Sequence, residues 1–387
     1  MSSTTMILTL VVLLSLYVIY GVLDGLQRRW QQYQQRQRLT LVVSRVRRQQ
    51  DMVKIWLRHP QGDALPAARA GQHILLFGND QQGKAVSRAY SLVHDCQHRH
   101  YYVLAIKAQS QGRLSQALFQ TVTAGDKLQC SRPKGHFLLR QDWRHVLTRC
   151  IPVRYRPRYF KARPLVLVGA GIGITPMLAM AVQALRQERP VMLFYQARTV
   201  ADLLWHRHLQ RLPGLDYRPI LSQPNIDWPG ARGRITAALL IAQAGIDAHY
   251  YLCAQAQMVM DLEHDLRQAG VRHCYHELFS AAHSTQSFPL QLGAQQADSL
   301  GHRSVLDALL AANAQIPYDC RGGSCGQCRL KLISGHCQQV LAAEFEHAED
   351  EILACCVQAT SPLQLGFCQS ESIEVMENLE QNNHQLA

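Results

Sequence analysis

Residues 320–328 read Cys-Arg-Gly-Gly-Ser-Cys-Gly-Gln-Cys and hold three of the twelve cysteines in the chain. Four residues separate Cys320 from Cys325 and two separate Cys325 from Cys328, which is a known ligand spacing of a [2Fe–2S] cluster that needs a fourth cysteine further on. Soft thiolate ligands suit such a cluster. The three glycines suit a loop that wraps a cluster closely, because glycine adopts backbone angles that other residues avoid. The spacing therefore predicts a [2Fe–2S] site.

A structural zinc site and a set of free thiols are the competing interpretations of this loop. Zinc is usually held by paired Cys-x2-Cys knuckles, and the loop contains one such pair. The fourth ligand is then Cys355 or Cys356, which are adjacent in the chain. The other cysteines are scattered, and most are expected to be ordinary small apolar residues: Cys96, Cys130, Cys150, Cys253, Cys274, Cys337 and Cys368.

Composition and charge distribution exclude two broad classes of protein. Of the 387 residues, 47% are hydrophobic and 18% are charged, which excludes a wholly disordered chain. The formal net charge is +12, but it is uneven. Residues 26–60 carry nine Arg or Lys against one acid, whereas residues 298–387 carry twelve acids against four bases. A single basic stripe for nucleic acid would not show this asymmetry, so we expect no nucleic-acid partner.

The N-terminus carries one long apolar run, from Met6 to Leu23. Its 18 residues would span about 27 Å as a helix, just enough to cross a bilayer core. A secretory signal peptide is the alternative, but its positive n-region and small-residue cleavage site are missing. Arginines follow the run, so the positive-inside rule places the remainder in the cytoplasm. We therefore predict a single-pass protein of the inner (cytoplasmic) membrane with the lipid bilayer as a partner, in a compartment that disfavours disulfides.

Changes of hydrophobic pattern divide the rest of the chain. Short apolar runs separated by Gly, Pro and Asp predict a small antiparallel β-barrel. Alternating strand and helix patterns, with one helix over 201–212, then predict a parallel α/β sheet, and the last part combines a helix with short strands. The predicted boundaries are anchor 1–25, basic linker 26–39, barrel 40–150, linker 151–163, α/β domain 164–280, linker 281–287 and α+β domain 288–387.

The segments IPYDCRGGSCGQCRLKLISG and ILACC resemble the plant-type ferredoxin domain of ferredoxin–NADP reductase-like flavin/[2Fe–2S] oxidoreductases. This family includes reductase components of bacterial oxygenases and phthalate dioxygenase reductase, whose domain order is flavin, nucleotide, ferredoxin. The resemblance extends over about residues 40–380. It implies a flavin-binding barrel, an NAD(P)-binding domain and a C-terminal ferredoxin domain. In the family the ILAC-type segment carries the last cluster ligand, which implies Cys355, although the doubled cysteine leaves Cys356 open.

The stretch Arg88-Ala89-Tyr90-Ser91 is similar to the R-x-Y-S flavin motif of this family. An arginine fork suits a phosphate, a tyrosine face suits a flat ring, and the serine hydroxyl would meet the flavin N5 edge. The alternative for Tyr90 is an ordinary strand aromatic. The resemblance further implies that Lys107, Gly112 and Ser115 help to bind the flavin, with Gly112 and Ser115 at its phosphate end. The resemblance implies FAD as the flavin, with FMN as the alternative.

The run Gly169-Ala-Gly171-Ile-Gly173-Ile-Thr175-Pro176 follows a predicted strand and precedes a helix. Such a turn places backbone N–H groups at a helix N-terminus, where phosphate binds. It departs from the dinucleotide fingerprint at its third glycine, but it is similar to the family motif, which implies binding by Gly169, Gly171, Gly173, Thr175 and Pro176. Arg198, after the next strand, would meet a 2′-phosphate or be solvated. The choice between NADH and NADPH stays open.

Catalytic positions come from the same resemblance. Cys253 stands where the family has Cys-Gly-Pro, but Ala254 and Gln255 replace the Gly and Pro, which puts the loop geometry in doubt. Glu277 and Phe279 resemble the family's E-x-F ending, whose aromatic covers the flavin until nicotinamide displaces it; the alternative for Phe279 is core packing. The residues implied at the reacting centre are Ser91, Thr175, Cys253, Glu277 and Phe279.

The order of the parts predicts electron transfer from NAD(P)H through flavin to the [2Fe–2S] cluster and on to an acceptor. The anchor favours a membrane-bound oxygenase or desaturase as that acceptor, by analogy with the family. The alternatives are a quinone or ferric reductase, and a redox sensing or assembly module that has lost turnover. The histidines show no spacing typical of a metal site and are expected to be surface or satisfied residues.

Overall fold

The computed structural model describes residues 38–368 apart from 80–82, 84, 94–95, 110–111, 141–162, 280, 319, 324 and 344. The predicted anchor (1–25), all but the last two residues of the basic linker (26–39) and almost all of the linker at 151–163 lie outside the described residues. Within the described ranges, no helix is both long enough and apolar enough to cross a membrane. The longest of these helices have 13 residues, about 20 Å.

The first unit is the predicted antiparallel barrel. Its six strands are ordered β4-β3-β6-β1-β2-β5 with every neighbouring pair antiparallel, and a bridge between Leu92 and Leu104 joins the two edge strands. Inward residues such as Ile55 and Leu76 are completely or almost completely buried, as the alternating pattern requires. The elements are β1 (Leu39–Gln49), β2 (Met52–Arg58), β3 (His73–Asn79), β4 (Ala85–Ser91), β5 (Tyr102–Lys107), α1 (Arg113–Thr121) and β6 (Lys127–Cys130).

The second unit is the predicted parallel α/β sheet, with strand order β10-β9-β8-β7-β11-β12. Its central strands are buried on both faces, since helices cover them. The carboxyl ends of β7 and β11 lie side by side, and such an edge is where α/β proteins bind ligands. The elements are β7 (Leu165–Ala170), α2 (Ile174–Arg186), β8 (Val191–Ala197), α3 (His206–Gln210), β9 (Leu215–Leu221), β10 (Ala231–Arg232), α4 (Ala237–Ala244), β11 (His249–Ala254), α5 (Ala256–Gln268) and β12 (Cys274–Leu278).

The continuous helix predicted over 201–212 is wrong. The structure has a single 3-10 turn at Val200–Asp202, then Trp205 in the left-handed conformation with φ +56°, then the short helix α3. The break has a tertiary cause. The Leu204 amide donates to the Tyr195 hydroxyl at 3.2 Å, and Leu204 and Trp205 pack on apolar barrel residues around Val103. These contacts override the local helix propensity.

The third unit is an α+β fold built on a mixed five-stranded sheet, ordered β14-β13-β19-β15-β17, with a separate β16-β18 pair. Strands β13 and β19 are parallel, while the other described pairs are antiparallel. Ser304 is the N-cap of the helix that begins at Val305, and its hydroxyl accepts the Asp307 amide at 3.2 Å. The elements are β13 (Pro289–Leu292), β14 (Gln295–Asp298), α6 (Val305–Ala311), β15 (Arg329–Ser334), β16 (Cys337–Gln339), β17 (Glu351–Leu353), β18 (Val357–Ala359) and β19 (Leu363–Phe367).

The segment 281–287, predicted as a polar linker, is attached to this third unit. The carbonyl of Ala282 accepts the side-chain amide of Gln358 at 2.7 Å, and the Ser284 amide donates to the His302 carbonyl at 2.8 Å. Ala281 is buried with the apolar core of the unit. The polar composition of this stretch therefore reflects hydrogen bonding to the domain it precedes.

The barrel and the α/β unit share a tight interface. The residues after β6 run across α2, so Phe137 and Leu139 belong to the same apolar cluster as Met177 and Met180. The amide of Arg140 donates to the Tyr251 hydroxyl at 2.8 Å. This packing holds the end of β4 close to the carboxyl end of the parallel sheet.

Candidate flavin, nucleotide and iron–sulfur sites

The four predicted cluster cysteines meet as two pairs of thiols. The Cys325 side chain hydrogen-bonds Cys320, and this contact, followed by burial, raises the pKa of Cys325. The Cys328 side chain hydrogen-bonds Cys355, which together with burial raises the pKa of Cys328. Each iron of a [2Fe–2S] cluster takes two protein thiolates besides the bridging sulfides. Cys320 also acts on Cys328 and Cys355 and adds to the rise in the pKa of each, so the two pairs lie near one another, as a two-iron cluster requires.

A single bound metal ion fits the described residues less well. No group of three or more His, Cys, Asp or Glu side chains within the described ranges converges closely enough to hold one ion. A structural zinc site would need four ligands around one centre. The donor set here is purely thiolate and grouped in twos, as an iron–sulfur cluster requires.

The backbone of the cysteine loop is shaped by left-handed residues. Gly323 and Gly326 have φ of +74° and +76°, and Arg321 between the first two cysteines has φ +50°. A β-carbon on Gly323 would lie 2.3 Å from the Ala342 carbonyl oxygen, and one on Gly326 would lie 2.6 Å from the Phe345 ring. The Gly322 amide lies 3.4 Å from the Cys320 sulfur and points toward it. Glycine is therefore required at Gly323 and Gly326 both by the positive φ and because neighbouring atoms leave no room for a β-carbon.

The adjacent cysteines 355 and 356 have different surroundings. The pKa of Cys355 is lowered by the hydrogen bond with Cys328 and raised, by a larger total, by its contact with Cys356 and by burial. The Cys356 sulfur lies 3.6 Å from the Cys355 sulfur and 3.7 Å from the Ala342 carbonyl oxygen. Cys355 therefore contacts the loop cysteine Cys328, whereas Cys356 contacts Ala342 and lies against Gly323 of the same loop.

The R-x-Y-S stretch forms the second half of β4. Ser91 is buried and pairs with His73 of β3, Tyr90 is half-buried, and Ala89 is exposed. Burial raises the pKa of the Tyr90 hydroxyl, with the Arg88 charge opposing. The Arg88 guanidinium donates to the Ser87 carbonyl at 2.7 Å. The alternation along the strand presents Arg88 and Tyr90 on one side of β4.

The predicted phosphate end of the flavin site lies at the start of α1. Gly112 precedes the helix, and a β-carbon there would lie 2.1 Å from the Ser115 hydroxyl oxygen. That hydroxyl donates to the Gly112 carbonyl at 3.3 Å and accepts the Gln109 amide at 3.4 Å. Lys107, at the end of β5, forms an ion pair of 3.2 Å with Asp51. Gly112 and Ser115 meet directly, while Lys107 is engaged with an acid on the barrel surface.

The glycine-rich turn joins β7 to α2 and packs against β11. A β-carbon on Gly173 would lie 1.9 Å from the Cys253 carbonyl oxygen, although its φ is an ordinary −60°. Gly171 has φ +54° and open space where a β-carbon would be. The Thr175 hydroxyl donates to the Ile172 carbonyl at 2.9 Å, and Pro176 is buried in the first turn of α2. The turn therefore leaves its Gly171 side open.

The predicted reacting centre collects at the barrel–sheet interface. Cys253 is completely buried, which raises the pKa of its thiol well above the usual value, with the Glu277 charge adding to the effect. Glu277 is the neighbour of Cys253 across β11 and β12. The Glu277 carboxylate lies 3.9 Å from Nδ1 of His73, and His73 is the β-sheet partner of Ser91. The structure thus brings Ser91, Cys253 and Glu277 to one place.

Sequence reasoning missed His73. The residue is 8% exposed and lies between Ser91 and Glu277. The contact joins positions more than 200 residues apart, and no local spacing encodes it. The only signal was its place at the start of a strand that pairs with the R-x-Y-S strand.

Phe279 and Arg198 lie at exposed positions. Phe279 follows β12 and is 45% exposed, which excludes the core-packing interpretation. Arg198 follows β8 and its side chain is exposed, while its carbonyl accepts the Gln223 amide at 2.9 Å. Both residues are available to a ligand that lies across the carboxyl edge of the parallel sheet.

Three protein-family models match the chain in the order of these sites. An oxidoreductase FAD-binding domain matches residues 41–138, an oxidoreductase NAD-binding domain matches 167–264, and a 2Fe-2S iron-sulfur cluster binding domain matches 293–360. The solved structure of phthalate dioxygenase reductase is 26% identical, covers 85% of this chain and 97% of its own, and gives a TM-score of 0.55. The chain belongs to the phthalate dioxygenase reductase-like FAD/NAD/[2Fe–2S] oxidoreductases. The predicted family, enzyme class and cofactors are confirmed.

Two of the following three curated relatives are named as a reductase or a reductase subunit. Phthalate dioxygenase reductase of Burkholderia cepacia is 26% identical over 336 residues, which is 83% of this chain and 94% of the relative. The 3-chlorobenzoate-3,4-dioxygenase reductase subunit of Comamonas testosteroni is 28% identical over 334 residues, again 83% and 94%. The heme-dependent oxidative N-demethylase beta subunit of Ectopseudomonas mendocina is 29% identical over 303 residues, 77% and 88%. The similarity to these relatives thus extends over most of their own length.

The predicted location in the cytoplasmic membrane is wrong. The similarity is to reductase subunits of oxygenase systems over most of their length, and the helices that the structure describes are too short or too polar to span a bilayer. The apolar run that motivated the prediction falls in residues 1–25, outside the described residues. The bilayer and a membrane-bound acceptor lose their support together with that location.

Proposed function

We propose that the chain delivers electrons from NAD(P)H, through FAD and its [2Fe–2S] cluster, to the iron-containing oxygenase component of a two-component system. The observation that carries the proposal is the arrangement of four cysteine thiols in two pairs, on the same chain as a glycine-rich turn packed beside a flavin-type barrel. Two relatives that align over most of their own length are named as a dioxygenase reductase and a dioxygenase reductase subunit, and a third is named as the beta subunit of a heme-dependent oxidative N-demethylase.

We assign the cluster to Cys320, Cys325, Cys328 and Cys355. Cys320 with Cys325 would hold one iron, and Cys328 with Cys355 the other, because these are the pairs in contact. The positive φ of Arg321, Gly323 and Gly326 turns the loop so that its sulfurs converge. The cluster, when bound, accepts and releases one electron at a time.

We assign the FAD to the outer side of β4 and the start of α1. Arg88 would bind phosphate, the Tyr90 ring would stack on the cofactor, and the Ser91 hydroxyl would hydrogen-bond its reacting edge. Gly112 and Ser115 would bind phosphate through the start of α1. The FAD, when bound, takes two electrons from NAD(P)H and passes them on singly. FMN is distinguished from FAD by the mass of the cofactor released on denaturation.

We assign the dinucleotide to the carboxyl edge of the parallel sheet, with its phosphates beside the open Gly171 side of the turn. The buried Cys253 thiol stays protonated because its pKa is raised, so it lines the nicotinamide site as an apolar group. Glu277 and His73 form a polar pair that fixes the end of β12 beside β3. Phe279 would cover the exposed flavin face until the nicotinamide arrives.

We propose three domains with the boundaries predicted from the sequence. The flavin unit would occupy residues 40–150, the nucleotide unit 164–280 and the ferredoxin unit 288–387. The hydrogen bonds of residues 281–287 to the ferredoxin unit favour a boundary nearer residue 280 for any isolated ferredoxin fragment.

The first test is an anaerobic absorbance titration of the full chain with NADH and then NADPH. Bleaching of both the flavin and the iron–sulfur bands by one nucleotide supports the proposal and names the donor. Cys325→Ser is the matched control, in which the flavin bands should bleach while the original iron–sulfur bands are lost or shifted. If wild-type protein carries both cofactors and neither nucleotide bleaches them, the reductase assignment fails and a sensing or assembly role replaces it.

The acceptor is tested by comparing the rates at which different acceptors re-oxidise the reduced protein. Rapid oxidation by an oxygenase component with a mononuclear or haem iron, and slow oxidation by quinones or ferric chelates, supports the proposed partner. Turnover with a quinone or a ferric chelate that depends on the cluster, and exceeds that with any oxygenase, would replace the proposal by a quinone or ferric reductase.

A further inference from the structure

The second of the adjacent cysteines is left without a role by the cluster assignment. Cys356 is completely buried. Its sulfur lies 3.6 Å from the Cys355 sulfur and 3.7 Å from the Ala342 carbonyl oxygen. Both distances are within the range of hydrogen bonds that involve sulfur. The Cys356 thiol is therefore close enough to hydrogen-bond the sulfur of a proposed cluster ligand.

The position of the Cys356 side chain is fixed from both sides. Its carbonyl accepts the amides of Val340 at 2.8 Å and Leu341 at 3.1 Å, and its own amide donates to the Leu353 carbonyl at 2.7 Å. On the other side, a β-carbon added to Gly323 would lie only 2.7 Å from the Cys356 sulfur. The sulfur is therefore enclosed between the cysteine loop and the segment around Ala342.

The direction of the sulfur–sulfur contact follows from the chemistry of the ligand. A cysteine bound to iron is a thiolate, which has no proton and can only accept. The Cys356 S–H has two acceptors within reach, the Cys355 sulfur and the Ala342 carbonyl oxygen. Because the site is buried, no bulk water competes for that proton.

We propose that Cys356 is a positioning residue that donates its S–H to the sulfur of the ligand Cys355 and thereby raises the reduction potential of the cluster. The inference rests on the proposed assignment of Cys355 as the fourth ligand. A donor to a ligand sulfur stabilises the reduced cluster, which carries one more negative charge, more than the oxidised cluster. The donor thus favours electron transfer from flavin to cluster.

The expected size of the effect is that of one modest hydrogen bond. Net contributions of about 0.5–1.5 kcal/mol correspond to roughly a twofold to twelvefold change in an equilibrium constant. For a one-electron couple, a tenfold change equals about 59 mV. Cys356→Ala should therefore lower the midpoint potential by up to about 60 mV while the cluster is retained. Cys356→Ser keeps an O–H donor at this position and should restore most of the wild-type potential.

The test is a spectroelectrochemical titration of the intact protein with wild type, Cys356→Ala, Cys356→Ser and Cys337→Ala. Cys337 is a half-buried thiol on β16 of the same unit, and its removal controls for the loss of any thiol. Iron content, electron paramagnetic resonance of the reduced cluster and flavin content are measured on the same samples. A lower potential in Cys356→Ala alone, with recovery in Cys356→Ser, supports the inference. Equal potentials in all four proteins, or equal shifts in the alanine and serine variants, overturn it.

The ligand assignment is tested separately with Cys355→Ser. If this variant loses or shifts the iron–sulfur bands while Cys356→Ala keeps them, Cys355 is the ligand, and only the potentials decide the role of Cys356. If Cys356→Ala loses the cluster and Cys355→Ser keeps the wild-type spectrum, both the assignment and the inference are overturned. Flavin reduction by NAD(P)H should be unchanged in Cys337→Ala, and the flavin content of each variant reports whether the flavin unit is folded.

Discussion

Replacing Gly173 by alanine tests the most crowded contact of the nucleotide site. The new β-carbon would lie 1.9 Å from the Cys253 carbonyl oxygen and 2.6 Å from its carbonyl carbon. An ordinary van der Waals contact begins at about 3.4 Å, so the turn and the strand must separate by about 1.5 Å. Overpacking a core contact in this way costs about 1–3 kcal/mol, and a displacement of about 1 Å near the reacting centre can cost about 100-fold in rate.

The assay for Gly173→Ala is single-turnover flavin reduction by NAD(P)H, together with thermal unfolding of the full chain. A loss of about 2 kcal/mol lowers the transition of a unit of about 100 residues by about 8 °C. Gly171→Ala is the control in the same turn, since its β-carbon meets nothing within 4 Å and only the left-handed φ of +54° opposes it. It should raise the KM for nucleotide with a smaller thermal shift. Equal thermal shifts, or a wild-type reduction rate in Gly173→Ala, would refute the steric reasoning.

Three further predictions concern the other sites. Gly326→Ala places a β-carbon 2.6 Å from the Phe345 ring at φ +76°, so iron and sulfide per chain should fall, with partial recovery when Phe345→Ala is added. Burial raises the pKa of Cys130 to about 12. Above pH 9 only the unfolded state therefore ionises this thiol, and the free energy of unfolding falls as the pH rises toward 12. In thermal or denaturant unfolding, Cys130→Ala should reduce that decline by about 1.4 kcal/mol per pH unit. Phe279→Ala should lower the KM for nucleotide and shift the melting temperature little, because the ring is 45% exposed; a large loss of stability would show that the ring is structural.

Much of the fold could be predicted because its signals are local. The strand patterns between residues 40 and 140 produce six barrel strands, and the alternation after residue 164 produces the parallel sheet. The cysteine spacing is equally local, since Cys320, Cys325 and Cys328 lie within one loop. The helix over 201–212 could not be predicted correctly, because Trp205 is held in a left-handed conformation by packing against a different unit.

The choice between Cys355 and Cys356 as the fourth ligand could not be made from ligand spacing. Successive residues in the chain differ in which neighbours they face, and those neighbours come from distant segments. Cys355 meets Cys328, whereas Cys356 meets Ala342 and the space beside Gly323. No spacing rule contains this information. His73 is a similar case, because its contact with Glu277 depends on how the barrel packs on the sheet.

Two glycines of the glycine-rich turn are required for different physical reasons. Gly171 and Gly173 are both glycine positions of the same sequence motif. Gly171 is required by its backbone angle, whereas Gly173 is required because another strand approaches closely. The first requirement is local and would persist in an isolated peptide, whereas the second exists only once β11 lies beside β7. The residue that β11 brings there is Cys253, a candidate at the reacting centre. The conformation of the turn and the position of that thiol are therefore coupled, so a change that loosens one should displace the other.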